Sequence, residues 1–377
     1  MILKKVRLIY LYFIFVAFFF VQIMNGFNGK NSFSETRMLP IIIILILGAY
    51  LKQNRTHKKI GRYAILLAIY MSFVAILQIG LSLSVISSII SFSFWVIVFH
   101  QVKAMDIKET DLGIISLIMA IACNLSAIIY SFNFIHWQYE LENETRVGAV
   151  NSIYYILTML PFIFYLKKWW LSLVMSLMPL YAFVVSGKTT CLLCGGLIVL
   201  YNIWRNVSIL KWKSKILFFI GLCICIALAI NIVDFSIMNS DITEDFESGG
   251  NGRSDIAYKV IGMLLQEDNP MLLIFGHGVN SISARLGIGG HNDYLELLFC
   301  YGFIGLFLFF AFWKELISSI KMFRIETHLK LGFIVSLIVL FFSTVASKLL
   351  ATQIGMLSLA IFWGVTYAYN NSKKNNV

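Results

Sequence analysis

Long apolar stretches alternate with short polar segments from one end of the chain to the other. A helix needs roughly 20 mainly apolar residues to cross a bilayer, and windows of about that length recur throughout. Because backbone polar groups in lipid must bond within their own segment, the repeated windows predict a bundle of spanning helices. Twelve windows are found, in a range of eleven to thirteen: 8–24, 38–51, 63–80, 83–100, 112–130, 147–166, 169–185, 190–204, 216–233, 293–313, 331–347 and 349–368.

The composition supports the same class of fold. Of the 377 residues, 59% are apolar, 15% are aromatic and 13% are charged, whereas a soluble domain usually carries about 25% charged residues. The chain is therefore expected to be an all-α integral membrane protein that forms a single polytopic domain over 1–377.

The positive charges indicate the orientation of this bundle. If the N-terminus is cytoplasmic, 22 of the 30 Lys and Arg residues and only 5 of the 19 acidic residues lie on the inner side. The positive-inside rule then predicts that both termini are cytoplasmic. The net charge of +11 reflects this topology and does not indicate a nucleic-acid partner.

The six cysteines all fall within predicted spans, where they act as small apolar residues. Cys191 and Cys194 have the spacing of a metal or redox pair, but no second pair and no His lies near them on the same side. Neither a disulfide framework nor a metal site is expected.

One predicted outer segment, at about 234–292, is much longer than a connection in a compact bundle requires. It carries apolar residues at helical spacing between Ser254 and the "EDNP" that ends at residue 270, which predicts an amphipathic helix on the outer membrane surface. These residues are Ile256, Val260, Met263 and Leu264. A Gly-His-Gly turn at 276–278 and the run "GIGGHNDY" then lead into the span at 293–313.

Three basic side chains converge on this outer side. Lys188 in "SGKTT", Arg253 before the amphipathic helix, and His291 are all assigned there by the charge count alone. Each taken singly is more simply an interfacial residue whose charge reaches the lipid headgroups. Their convergence favours a binding or catalytic site.

The order of motifs resembles that of the O-antigen ligase and polymerase superfamily, and within it the O-antigen polymerases (Wzy type). A Gly-Arg pair precedes an amphipathic helix, "GHG" follows, and "HNDYLELLFCYGFIG" at 291–305 combines His-Asn-x-Tyr-Leu with a Gly-x-x-Gly helix. The resemblance is close over about 248–305 and loose over the remaining topology. It matches Arg253 and His291 to the functional residues of the family's outer loop, and Lys188 to an earlier cation that is often Arg.

The resemblance implies glycosyl transfer from an undecaprenyl-diphosphate-linked glycan at the outer face of the bacterial inner membrane, without a metal or other cofactor. Arg253 and Lys188 would bind the diphosphate and stabilise its growing charge. His291 would accept or orient the proton of the attacking hydroxyl. The partners implied are this glycan, membrane lipid and a possible chain-length regulator.

The residues after His291 complete the predicted site. Asn292, Asp293 and Glu296 are candidates for contact with the substrate. For the two carboxylates, capping of the helix start is favoured over hydrogen bonds to sugar hydroxyls.

Two other functions remain open at this point. The same chemistry serves an O-antigen ligase, which moves the finished glycan to lipid A core; Lys188 in place of the ligase-like Arg favours the polymerase. A transporter or lipid-carrier flippase also commonly has twelve spans. Transporters tend to have internal repeats, broken helices and charges in mid-membrane, whereas in this sequence mid-span charges are nearly absent and the polar cluster lies outside.

Overall fold

The computed structural model of the chain describes most of its second half and part of its first. The described residues are 60–79, 83–140, 153–186, 188–208, 211–212, 215–216, 253–287, 289–323, 327–347, 349–350 and 353–374.

All regular structure in these ranges is helical. The α-helices are α1 (Arg62–Ile79), α2 (Leu83–Lys103), α3 (Glu109–Glu140), α4 (Ile153–Met159), α5 (Trp169–Val185), α6 (Thr189–Ser208), α7 (Arg253–Leu265), α8 (Pro270–Phe275), α9 (Ser281–Leu286), α10 (Asp293–Ser319), α11 (Thr327–Ala346) and α12 (Gln353–Lys374). A 3₁₀ helix, Leu160–Tyr165, continues α4, and another, Ile320–Phe323, continues α10.

Several of these helices are apolar enough for lipid. Within the described residues, four are also long enough to cross a membrane: Glu109–Phe132, Thr189–Ser208, Asp293–Phe323 and His328–Ala346. The structure is therefore that of an all-α membrane protein. The windows at 8–24 and 38–51, and all but the first residue of 216–233, lie outside the described residues, so twelve spans and their orientation stay predictions.

The helix α3 extends beyond its apolar window. The pattern predicts a span that ends at residue 130 and an outer loop from 131, whereas the helix continues to Glu140. The prediction of a loop at this point was wrong because it followed polarity alone. No Gly or Pro occurs between residues 131 and 140 to interrupt the backbone.

The core lies around α12, which packs most extensively on α2 and also contacts α4 and α11. Described side chains of α12 are buried on every face as far as Asn371, as expected for a helix that is apolar all round. Trp363, which is fully buried, donates from its ring nitrogen to Ser336 Oγ of α11 (2.9 Å).

Hydrogen bonds between connections show which helix ends lie together. At one end of the bundle Lys167 binds Glu109, and Ser372 Oγ donates to Asp106 Oδ1 (2.7 Å). At the other end the start of α10 binds the connection between α11 and α12. In both cases the contacts join segments that the charge count assigns to the same side.

Candidate functional site

The start of α10 is fixed by Asn292. Its side-chain oxygen accepts the backbone N–H groups of Tyr294 (2.9 Å) and Leu295 (3.2 Å). Its own backbone is extended, with φ −150°, as an N-cap requires. Asn292 therefore satisfies two of the donors that a helix start leaves without partners.

Asp293 ties α10 to the neighbouring connection. It is 2% exposed, and its Oδ2 accepts the backbone N–H groups of Leu349 (2.8 Å) and Leu350 (3.0 Å). Hydrogen bonds to a charged group are stronger than those between neutral groups. The carboxylate thus holds three helices, α10, α11 and α12, together at this end of the bundle.

Glu296 holds the glycine-rich segment in a similar way. It is 5% exposed, its Oε1 accepts the backbone N–H of Gly290 (2.8 Å), and the Cys300 thiol donates to its Oε2 (3.4 Å). The expected role of Asp293 and Glu296 as the helix cap is therefore wrong. Asn292 takes that role because it is the last residue with extended backbone before α10, and both carboxylates bind backbone of other segments.

His291 lies in the turn between these fixed points, with its side chain half-buried. Its φ is +47°, in the left-handed region that few residues other than glycine adopt. Among the described residues, Asn280 is the other non-glycine residue with positive φ. Such a conformation costs on the order of 1–3 kcal/mol and persists where the surroundings determine it, as they often do at functional sites.

The helix α10 is broken near its start. Gly302 has φ +64° and ψ −169°, outside the helical range. The carbonyls of Phe299 and Cys300 instead accept the backbone N–H groups of His277 and Gly278 (both 2.9 Å). The Gly-His-Gly turn is therefore a backbone partner of the broken helix.

A hydroxyl group of α1 also binds the backbone at the break. The Tyr70 hydroxyl of α1 lies 3.0 Å from the carbonyl oxygens of both Tyr301 and Phe275. A Cβ atom on Gly302 would collide with the backbone of Ile274, and one on Gly276 would collide with the backbone of Cys300. Glycine is required at both positions because two backbones meet there.

His277 has a structural role, as the sequence indicated. Its side chain is 2% exposed, and its ring stacks on Phe299 with centroids 4.3 Å apart. Its Nε2 lies 2.7 Å from Glu267 Oε2. This hydrogen bond is the main cause that holds the pKa of Glu267 below its usual value. The Arg285 guanidinium lies 5.2 Å from the centre of the same Phe299 ring.

A cavity of about 280 Å³ lies beside the start of α10. Asp293 and Glu296 line it, together with Asn280 of the turn before α9. The remaining described lining residues come from α1, α2, α10 and two connections: Met71, Ser88, Ser91, Phe92, Val279, Leu297, Cys300, Tyr301 and Leu350.

The two cations come from other parts of the chain than α10, one at the start of α7 and one just before α6. Arg253 is the first residue of α7 rather than the residue before it, and its side chain lies outside the described part. The helix α7 packs on α10, with Val260 fully buried. Lys188 is half-buried in the connection between α5 and α6, where its carbonyl accepts the N–H of Leu192 (2.9 Å).

The predicted site residues thus fall into two groups. His291, Asn292, Asp293 and Glu296 form one continuous unit at the start of α10. Arg253 begins a helix that contacts α10, whereas Lys188 immediately precedes α6, which packs on α5 and α11. In the described part of the chain no group of three or more His, Cys, Asp and Glu residues is arranged to hold a metal ion.

Sequence reasoning missed three features of this region: the short helices α8 and α9, the break at Gly302, and the cavity. Pro270 at the first position of α8, after its cap Asn269, was a usable signal for that helix. Gly302 sits in an apolar run that reads as one span, so its sequence context gave no signal for a break.

Comparison with known proteins adds no family assignment. No protein-family model matches the chain, and no curated protein matches it.

Proposed function

We propose that this protein is a surface-polysaccharide polymerase of the bacterial inner membrane. It joins undecaprenyl-diphosphate-linked oligosaccharide repeat units at the outer face of that membrane. In this proposal the chain has about twelve spans and cytoplasmic termini, and α7–α9 belong to a large periplasmic loop. The observation that carries the proposal is the strained His291 in a rigid turn, next to a cavity lined by two buried carboxylates, at the end of the bundle that the charge count assigns to the outside.

The proposed reaction is a glycosyl transfer. A sugar hydroxyl of the acceptor attacks the anomeric carbon of the donor, and the new glycosidic bond forms as the bond from this carbon to the diphosphate breaks. Undecaprenyl diphosphate leaves with the bonding electrons. His291 accepts the hydroxyl proton, and Arg253 and Lys188 stabilise the charge on the leaving diphosphate.

The rigidity of the turn supports this role for His291. Asn292 fixes the backbone after it, and the bond from Gly290 to Glu296 fixes the backbone before it. Catalysis by a general base requires its position to be held to within a fraction of an ångström. The backbone of His291 is therefore held in place on both sides.

The chemistry of the site is equally consistent with a ligase that transfers the glycan to lipid A core. Lys188, in place of the Arg that the ligases carry, is the residue that favours the polymerase. In either case the proposed partners include a chain-length regulator.

A transporter or flippase is the second candidate, and one observation favours it. The break at Gly302 interrupts a helix of membrane-spanning length, and discontinuous helices are typical of transporters. However, the backbone at this break is bound by the 276–278 turn and by Tyr70, and the same end of α10 carries His291 and the two buried carboxylates. We therefore favour the enzyme.

The test is the surface-glycan pattern of a deletion strain that carries variants of the gene. Core bearing a single repeat unit indicates a lost polymerase, whereas bare core with carrier-linked polymer indicates a lost ligase. We expect His291→Ala and Arg253→Ala to give the first pattern and the exposed Asp268→Ala to restore the full ladder. Full-length glycan with both site variants, inserted at normal levels, would remove the catalytic proposal.

A further inference from the structure

The helix α7 is apolar on two different sides. On one side Val260 is fully buried, where α7 packs on α10. On another side Tyr258 (74%), Ile261 and Leu265 (82%) are exposed, and their spacing of three and four residues places them on one face of a helix. From the sequence, the side of Val260 was expected to lie on the membrane surface. The exposed side is therefore a second apolar surface that this expectation does not explain.

A third side of α7 is polar. Asp255 and Lys259 are four residues apart, so they share a side of the helix, and both are exposed. The helix thus presents one side to the protein, one exposed apolar side and one charged side. This arrangement is typical of a helix that lies along the boundary between lipid and water.

The short helix α8 adds further exposed apolar side chains. Met271 (60%), Ile274 and Phe275 are exposed, and they share one face because Ile274 and Phe275 follow Met271 by three and four residues. Exposed apolar clusters of this kind mark contact with a membrane or with another protein. The position of α8 relative to the bundle distinguishes between these two partners.

Contacts with α10 fix the depth of α8 in the membrane. In the turn after α8, the N–H groups of His277 and Gly278 bind carbonyls of α10 (both 2.9 Å), and the backbone of Ile274 lies against Gly302. From Gly302 to the end of the 3₁₀ extension about 20 residues remain, which is close to the number needed to cross the hydrocarbon core. Since this part of α10 spans the core, α8 lies near the depth at which the core begins.

Exposed side chains of α10 show which side of that helix faces lipid. Phe303, Phe307 and Phe310 are exposed and share one face, because Phe307 and Phe310 follow Phe303 by four and seven residues. On a helix of membrane-spanning length, an exposed apolar face contacts lipid. Phe303 directly follows Gly302, where the backbone of α8 meets α10. The helix α8 therefore lies beside the lipid-facing side of α10.

We infer that α7 and α8 bind lipid at this end of the bundle, with their exposed apolar side chains in the boundary between the headgroups and the acyl chains. Lipid is favoured over a protein partner because α8 lies at the depth of that boundary and beside the lipid-facing side of α10. The inference does not depend on the proposed reaction. It implies that the segment that binds the break in α10 is itself anchored in the membrane.

The experiment measures the surroundings of a nitroxide spin label. Leu265→Cys and Met271→Cys are each placed in a chain whose six native cysteines are replaced by alanine, labelled, and reconstituted into vesicles of phosphatidylethanolamine and phosphatidylglycerol. Collisions with oxygen, which concentrates in lipid, and with a water-soluble nickel chelate are measured by electron paramagnetic resonance. Lys259→Cys, on the charged side of α7, is the matched control, and Phe307→Cys on α10 is the lipid reference.

We expect the labels of Leu265→Cys and Met271→Cys to collide mainly with oxygen, as at Phe307→Cys, and the label of Lys259→Cys to collide mainly with the chelate. The ratio of the two collision rates should differ severalfold between Leu265→Cys and Lys259→Cys. Chelate access at Leu265→Cys or Met271→Cys equal to that at Lys259→Cys would overturn the inference. Protection of these two labels from both reagents would also overturn it, because protein would then cover the face.

A second measurement applies if the cysteine-free chain does not fold. In the native chain, p-benzoylphenylalanine in place of Leu265 or Met271 should cross-link to phospholipid on irradiation of intact membranes, whereas the same group in place of Lys259 should not. Cross-links from the first two positions to a protein, or the absence of lipid cross-links there, would contradict the lipid contact. Neither measurement involves glycan synthesis, so this inference and the proposed function fail separately.

Discussion

Asp293 holds two backbone N–H groups that would otherwise be buried without partners. The cost of an unsatisfied buried donor is about 1–3 kcal/mol. We therefore expect Asp293→Ala to lower the free energy of unfolding by about 2–4 kcal/mol, measured by denaturant unfolding in detergent micelles. Asp293→Asn, which keeps one acceptor oxygen, should lose less.

The control for this comparison is Asp268→Ala, because Asp268 is exposed and lies outside the helices. Its effect should stay within about 0.5 kcal/mol, as is usual for surface substitutions. An Asp293→Ala variant as stable as this control would show that the two hydrogen bonds do not stabilise the bundle.

Because the backbone of His291 is left-handed, two substitutions can test its structural role and its chemical role separately. His291→Gly relieves the backbone strain and should raise the free energy of unfolding by up to about 1 kcal/mol, whereas His291→Ala should not. Neither variant should lengthen glycan if the imidazole is the base. Retained lengthening in His291→Gly would mean that the turn matters and the imidazole does not.

At the scale of helices, the break at Gly302 sets the length of the uninterrupted part of α10 that can cross the membrane. With its 3₁₀ extension the segment has 31 residues, or about 46 Å at 1.5 Å per residue, whereas the hydrocarbon core is about 30 Å thick. The break leaves about 20 residues after Gly302, close to one bilayer thickness. The part before it, together with α8 and α9, builds the site.

We expect Gly302→Ala to be strongly destabilising, because the new Cβ would meet the backbone of Ile274 and φ is positive. A loss of about 2–4 kcal/mol in unfolding free energy is typical of such strain. The matched control is Gly262→Ala in α7, where nothing lies within 4 Å of a new Cβ, and where alanine should be neutral or stabilising. Equal stability of both variants would argue against the break.

The contact between Glu267 and His277 should depend on pH. Because the hydrogen bond lowers the pKa of Glu267, its stabilisation is present above the ordinary pKa of glutamate and is lost as the pH falls through the lowered value. Glu267→Gln should thus increase proteolysis of the α7–α9 segment at neutral pH and make no difference in acid. A difference that persists or grows in acid would contradict this assignment, and Asp268→Asn serves as the control.

Particular elements show which features of the structure the sequence could predict and why other features could not be predicted. The predicted windows 83–100 and 169–185 nearly coincide with α2 and α5, because tight turns and basic segments bound these two apolar runs. Helical spacing predicted the apolar face of α7 as a membrane-facing surface, whereas Val260 on that face is fully buried in the protein and α7 packs on α10. The cavity was not, because Met71, Ser88 and Val279 come together through tertiary contacts that have no counterpart in local sequence.

At the scale of the whole molecule, the predicted orientation is open to direct measurement. The test uses a chain whose six native cysteines are replaced by alanine. An impermeant thiol reagent applied to intact spheroplasts should label Asp268→Cys in this chain, whereas Thr110→Cys should react only after permeabilisation. Both positions are exposed. The opposite pattern would reverse the topology and would place the site in the cytoplasm, where the proposed acceptor chemistry does not occur.

The break in α10 also has a consequence for biogenesis. The partners of its freed carbonyls, the 276–278 turn and Tyr70, precede it in the chain by 22 and 231 residues. All of them have therefore been synthesised before α10 leaves the ribosome. These carbonyls therefore do not have to wait in lipid for a later helix, since the groups that bind them have already been made when the segment arrives.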